Sequence, residues 1–291
     1  MQKQKKYQME PLRFLHIPKT AGTTFTGLLR RQYSGKPHFI FTGDEQLDRK
    51  RLQAISESGK KIALFTGHAP LITGIREADE ALIITFLRDP VSRVISFCQH
   101  VSEGKTKYLR KEFPPESFNL DNFLRSGNHE LSNMQARFLV EDKSAPAGQL
   151  DKMTASAAKE TALENLLSKV FRFGLQEYFD ESLIVFADAL NWSLPLYTSL
   201  NKKNTGKLLR FEKHHIDQIT ELNSIDIEIY RAAREYFLNN WMKRIDHARL
   251  ERFRKICRSV SLPLRLYHRV TEVAVLLRGK WERDSRSDPQ R

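Results

Sequence analysis

Two cysteines, Cys98 and Cys257, are too few and too far apart for a disulfide framework or a metal-type spacing. Cys98 falls within a predicted helix, which favours a buried free thiol and a reducing compartment. Histidine, cysteine and carboxylate residues form no ligand cluster in the sequence, so no metal is expected. No stretch reaches the ~18 apolar residues of a membrane span. The basic start, Met1-Gln2-Lys3-Gln4-Lys5-Lys6-Tyr7, lacks the apolar run of a secretory leader. These absences point to a cytoplasmic protein. There is no internal repeat. Acid is in deficit, with 35 Asp and Glu against 48 Lys and Arg, a formal charge of +13. Such a balance suits an anionic ligand. Much of the excess sits at the end, where Lys243 to Arg291 holds 14 Lys or Arg against 6 Asp or Glu. Charge placed mostly in a tail does not define a nucleic-acid site, and no nucleic acid is expected.

Short apolar runs alternate with helical patterns. Strands are predicted over 12–18, 61–67, 81–87 and 170–175. Helices are predicted over 23–33, 120–126, 131–140, 154–168, 179–190 and 215–240. This predicts an α/β domain with a central, mostly parallel sheet flanked by helices. The domain is expected over 1–240. A basic, helical C-terminal extension follows over 241–291, disordered from Trp281. Within it, residues 260–278 mix apolar stripes with arginines, as a peripheral membrane contact would; packing on the core is the competing expectation.

Two strand-to-helix junctions carry the chemistry. In the first, Phe14-Leu15-His16-Ile17-Pro18-Lys19-Thr20-Ala21-Gly22-Thr23-Thr24-Phe25 runs from an apolar strand through a small-residue loop into a helix. Backbone N–H groups, one cation and hydroxyls there face any anion at the helix N-terminus. The spacing G-x-x-x-x-G-K-[ST] of nucleotide-binding loops is absent, because Lys19 precedes Gly22. In the second, the run ending at Leu87 leads into Arg88-Asp89-Pro90-Val91-Ser92-Arg93-Val94-Ile95-Ser96-Phe97. Asp89 is the candidate N-cap and Pro90 the helix start. Arg88 and Ser96 would converge on one anion. Arg93 is expected at the surface.

The first motif resembles the 5′-phosphosulfate loop of carbohydrate sulfotransferases, in particular the group with heparan sulfate 2-O-sulfotransferase and its bacterial members. The second resembles that family's 3′-phosphate motif. The resemblance spans roughly residues 12–240 and implies a P-loop-like sulfotransferase fold. It also implies a PAPS (3′-phosphoadenosine 5′-phosphosulfate) donor and a saccharide or glycolipid acceptor. It assigns Lys19, Thr20, Gly22, Thr23 and Thr24 to the phosphosulfate, and Arg88 and Ser96 to the 3′-phosphate. The basic turn 201–207 falls where the family places a loop over that phosphate, which adds Lys203 and Lys207. Gly67-His68 matches the group's catalytic base. The group's further histidine two positions earlier is replaced by Thr66, which would leave His68 without a second imidazole. His16, expected to pack behind the loop, and His100, facing nucleotide or solvent, are rival bases. The chain lacks the N-terminal anchor of animal Golgi relatives, which favours a cytoplasmic bacterial enzyme. Competing readings are a kinase-like nucleotide-dependent phosphotransferase and a basic membrane- or nucleic-acid-binding protein.

Overall fold

The computed structural model describes residues 10–142, 148–197 and 208–259. Lys203, Lys207 and the segment 260–278 lie outside the described residues.

Every side chain of β1 (Leu12–Leu15) is buried, as in a strand covered on both faces. It ends sooner than its apolar run, because Pro18 cannot donate to a ladder and Lys19 turns left-handed with φ 69°. Helix α1 (Gly22–Gln32) follows directly. The strand β2 (His38–Phe41) and helix α2 (Glu45–Glu57) were not anticipated from the sequence. Asp44 caps α2, its carboxylate accepting from Leu47 N at 3.0 Å. β3 (Leu64–Gly67), the short α3 (Arg76–Asp79) and β4 (Leu82–Leu87) come next. Helix α4 (Pro90–Ser102) begins as expected, with Pro90 in its first turn and Asp89 accepting from Ser92 N at 2.8 Å.

The second half is mainly helical: α5 (Leu120–Leu124), α6 (Met134–Val140) and α7 (Ala155–Ser168) precede β5 (Val170–Leu175) and α8 (Phe179–Leu190). The helical pattern over 215–240 divides into α9 (Lys213–Leu222) and α10 (Ser224–Asn240). Asn223 causes the break. Its buried amide donates to Leu131 O at 2.7 Å and Ile219 O at 2.9 Å, and its Oδ1 accepts from Asn133 N at 3.1 Å. Helix α11 (His247–Ser259) ends the described chain.

The five strands pair in parallel, in the order β2-β3-β1-β4-β5. This is the α/β architecture the alternation predicted. The main core joins β1, β4 and β5 to Phe25, Leu139, Phe186 and Phe237. Leu250 and Phe253 of α11 belong to the same core, so the chain beyond residue 240 helps to build it. The strand order switches at β1: the chain builds β2 and β3 on one side of it and then crosses to β4 and β5 on the other. In open parallel sheets the crevice at such a switch, beyond the strands' carboxyl ends, is the natural place for a ligand.

Candidate active site

Three neighbouring strand ends meet there. β3 delivers Gly67-His68, β1 the Lys19 loop and β4 Arg88. They border a cavity of about 750 Å³ whose lining includes Lys19, Gly22, Thr23, Thr24, His68, Arg88 and Ser96.

The loop after β1 is strained. Lys19 and Ala21 are both left-handed, with φ 69° and 72°, at a cost of about 1–3 kcal/mol each. Ala21 precedes α1 without a capping side chain, and the first turn holds no acidic residue. The helix therefore presents free N–H groups and an uncancelled positive end. A Cβ on Gly22 would lie 1.6 Å from His16 Nε2, so only glycine lets the imidazole settle on the loop. Thr20 differs from expectation. Its side chain is buried and its hydroxyl donates to Ile17 O at 2.9 Å, holding the loop's shape without facing the cavity. Burial, then Arg88 and Lys105, bring the Lys19 ammonium down to about 8.

Arg88 is tied to that loop, its Nη1 donating to Lys19 O at 3.0 Å. Its Nε is buried and has no acceptor among the described residues. An orphan guanidinium donor beside a lysine and a bare helix N-terminus fits a bound phosphate or phosphosulfate. A residue that the motifs did not reveal fixes the backbone of Arg88. Gln135 accepts from Arg88 N at 2.9 Å and donates to Arg88 O at 2.8 Å. Gln135 is in turn held by Asp226, whose buried carboxylate accepts from Gln135 N at 2.9 Å and Ala136 N at 2.7 Å.

Arg93 is not at the surface. It is 0% exposed, its Nη2 donating to Glu130 O at 2.6 Å, with Asp226 and Glu130 the opposite charges nearest it. Position 93 lies on the same side of α4 as Ser96 and Phe97, but its side chain does not line the cavity and instead braces α4 against the 3₁₀ turn His129–Leu131.

His68 lies just past β3, where Gly67 passes so close to β2 that a Cβ would be 2.6 Å from Phe41 O. Its Nδ1–H donates to His16 O at 2.8 Å, which leaves Nε2 as the unprotonated nitrogen. The ring's edge is open to the cavity, yet its crowded walls lower its pKa by desolvation. The substitution at Thr66 does not isolate it. Thr66 bonds instead to His38 Nε2 at 2.8 Å, and the ring of His16 stands 4.2 Å from that of His68. His16 therefore lines the cavity rather than packing behind the loop. Burial, His68 and Lys19 bring His16 down to about 3, so it stays neutral. His100 faces the cavity too, lowered to about 4 by burial first and then by Lys19 and Lys105. Glu130, which carries no sequence signal, also lines the cavity, and burial raises its pKa.

The segment carrying His68 is pinned by Arg13. This buried side chain donates from Nη1 to Leu71 O at 2.8 Å and to Asp79 at 2.9 Å, and from Nη2 to Pro70 O. One cluster with metal-type residues lies elsewhere, formed by Asp121, His214 and His215, none of which lines the cavity. His215 Nδ1 accepts from Glu212 N at 3.0 Å. The ring's proton is therefore on Nε2, which faces Asp121 at 3.4 Å as an N–H rather than a lone pair.

The chain is 27% identical over 273 residues to heparan-sulfate 6-O-sulfotransferase 2 of Danio rerio, an alignment covering 78% of this chain and 58% of that protein. It is 24% identical over 296 residues to heparan-sulfate 6-O-sulfotransferase 2 of Gallus gallus, covering 85% and 72%. For the human protein of that name the figures are 25% over 287 residues, 83% and 47%. The chain thus spans little more than half the length of the Danio rerio protein. The model of the galactose-3-O-sulfotransferase family matches residues 72–269, from the segment that Arg13 pins to a point beyond α11. With Arg88, Gln135 and Asp226 inside that match and the Lys19 loop packed against it, the chain belongs to the galactose-3-O-sulfotransferase family of carbohydrate sulfotransferases.

Proposed function

We propose that this protein transfers a sulfuryl group from PAPS to a hydroxyl of a saccharide or glycolipid acceptor. One observation carries the reading: the hydrogen bond from Arg88 to the Lys19 carbonyl joins the two anion-binding motifs across adjacent strands in one cavity. Lys19 and the first N–H groups of α1 bear on the 5′-phosphosulfate, and Arg88 and Ser96 on the 3′-phosphate. In transfer the acceptor oxygen bonds to sulfur while the bond from sulfur to the phosphate oxygen breaks. The departing nucleotide, 3′-phosphoadenosine 5′-phosphate (PAP), keeps that electron pair. Charge grows on the bridging oxygen, so Lys19 stabilises the transition state more than the ground state. The acceptor's proton passes to Nε2 of His68, whose tautomer leaves that nitrogen free. The likeness of Gly67-His68 to the 2-O-sulfotransferase group supports this role.

Calorimetric titration with PAP tests the donor site. Wild type should bind and Arg88→Ala should lose most of that affinity. A folded wild type that does not bind PAP would refute the reading, and ATP with Mg²⁺ would then test a phosphotransferase.

A further inference from the structure

One peptide plane beside the donor cavity is held from opposite sides. A trans peptide points its C=O and N–H in opposite directions. Between Arg88 and Asp89, the carbonyl accepts from Gln135 at 2.8 Å, and the N–H of Asp89 donates to Glu177 Oε1 at 2.9 Å. Strand pairing supplies the second partner. The register of β4 with β5 sets Leu87 opposite Leu175. Two residues on, Asp89 meets Glu177 in the 3₁₀ turn Gln176–Tyr178. Glu177 is fixed in turn, its Oε2 accepting from the Tyr230 hydroxyl at 2.7 Å. Tyr230 lies one turn along α10 from Asp226, which holds Gln135. One stretch of α10 thus grips the Arg88–Asp89 junction through two chains, Asp226 to Gln135 and Tyr230 to Glu177.

Electrostatics alone would not place a carboxylate there. Burial lowers the pKa of the Arg88 guanidinium, and Glu177, ahead of Asp89, offsets that effect. A negative charge acting on this arginine opposes any phosphate the arginine is to bind. Glu177 and Tyr230 do not line the cavity, whereas Gln176 does. Their route to a ligand therefore runs through the Asp89 N–H. Burial, and then the bond to Glu177, raise the pKa of the Tyr230 phenol, which keeps it a donor.

We infer that Glu177 and Tyr230 are positioning residues for the donor site, fixing through the Asp89 N–H the direction in which Arg88 leaves the backbone. This rests on the PAPS reading above. The gain in geometry outweighs the repulsion that Glu177 exerts on the nucleotide.

The test is calorimetric titration of the full chain with PAP, at a temperature where circular dichroism shows each variant folded. Wild type comes first, because its failure to bind would remove the PAPS reading itself. Glu177→Leu removes acceptor and charge together, and PAP Kd should rise about fivefold, the loss of roughly one hydrogen bond. Glu177→Gln removes the charge but keeps an oxygen for the Asp89 N–H, so its Kd should match wild type or fall. Tyr230→Phe keeps the ring packed and should raise Kd about twofold. Adding it to Glu177→Leu should raise Kd no further, because the two act in one chain. Tighter binding by both Glu177 variants would mean that charge alone acts, and equal weakening by both would mean that the charge helps. Either result overturns the inference. So does Glu177→Leu with a lower melting temperature and unchanged Kd, the mark of a merely structural bond.

Discussion

Burial, and then the nearby Arg88 and Lys105, bring the Lys19 ammonium down to about 8. Only the charged form attracts the nucleotide's phosphates. PAP affinity should therefore hold below pH 8 and weaken as pH rises through 8 towards the ordinary lysine value. Lys19→Arg should flatten that profile, because a guanidinium stays charged throughout; calorimetry from pH 7 to 9.5 measures both. His68 carries the opposite sign. It serves as base only when neutral, and burial lowers its pKa from the usual 6.5. The acid limb of kcat should lie below pH 6.5. His68→Ala should cut kcat by roughly 10²–10⁴-fold while leaving PAP affinity intact, as seen by comparing turnover with titration.

At the scale of elements, strand pairing brings distant motifs into contact. β1 lies between β3 and β4, so residues 68, 19 and 88 end side by side although the chain separates them widely. Helix α6 then fixes the guanidinium's starting point through Gln135. Gln135→Leu removes both hydrogen bonds to the backbone of half-buried Arg88 and leaves that N–H and C=O without Gln135 as partner. The expected effect is about a tenfold rise in PAP Kd, near 1.4 kcal/mol, with acceptor KM unchanged. A loss in acceptor KM alone would argue against a donor-positioning role. Arg93 acts at this scale as well: expected at the surface, it instead holds α4 against the turn at Glu130, whereas Thr20 shapes its own loop.

Across the whole molecule, the sheet's core extends into the last described helix. Phe253 is 0% exposed and packs with the main core, while Arg254 reaches Asp180 at 3.1 Å and Glu181 at 2.8 Å on α8. Phe253→Ala should lower stability by about 3–5 kcal/mol, read as a drop in the denaturation midpoint at constant slope. Charge is also partitioned at this scale, with cations around the donor cavity and carboxylates around a neighbouring groove. PAP association should accordingly slow as salt rises.

Local chemistry made the two strand-to-helix junctions legible in the sequence. A proline or an N-cap acts on its own turn, and apolar runs report burial wherever the chain goes. Lys19, Arg88, Ser96 and His68 could be singled out because those junctions also resemble the sulfotransferase motifs, and the apolar runs predicted the parallel α/β sheet. β2 and α2 escaped notice because His38-Phe39-Ile40-Phe41 is short, although Asp44 was a usable capping signal. The structure alone decided what depends on pairing between distant segments. The order β2-β3-β1-β4-β5 sets His16 against His68, brings Glu130 to the cavity wall and gathers Glu45, Asp48, Glu141 and Asp151 around one groove. No local periodicity encodes such neighbours, because side chains far apart in sequence meet only when the strands and helices between them have packed.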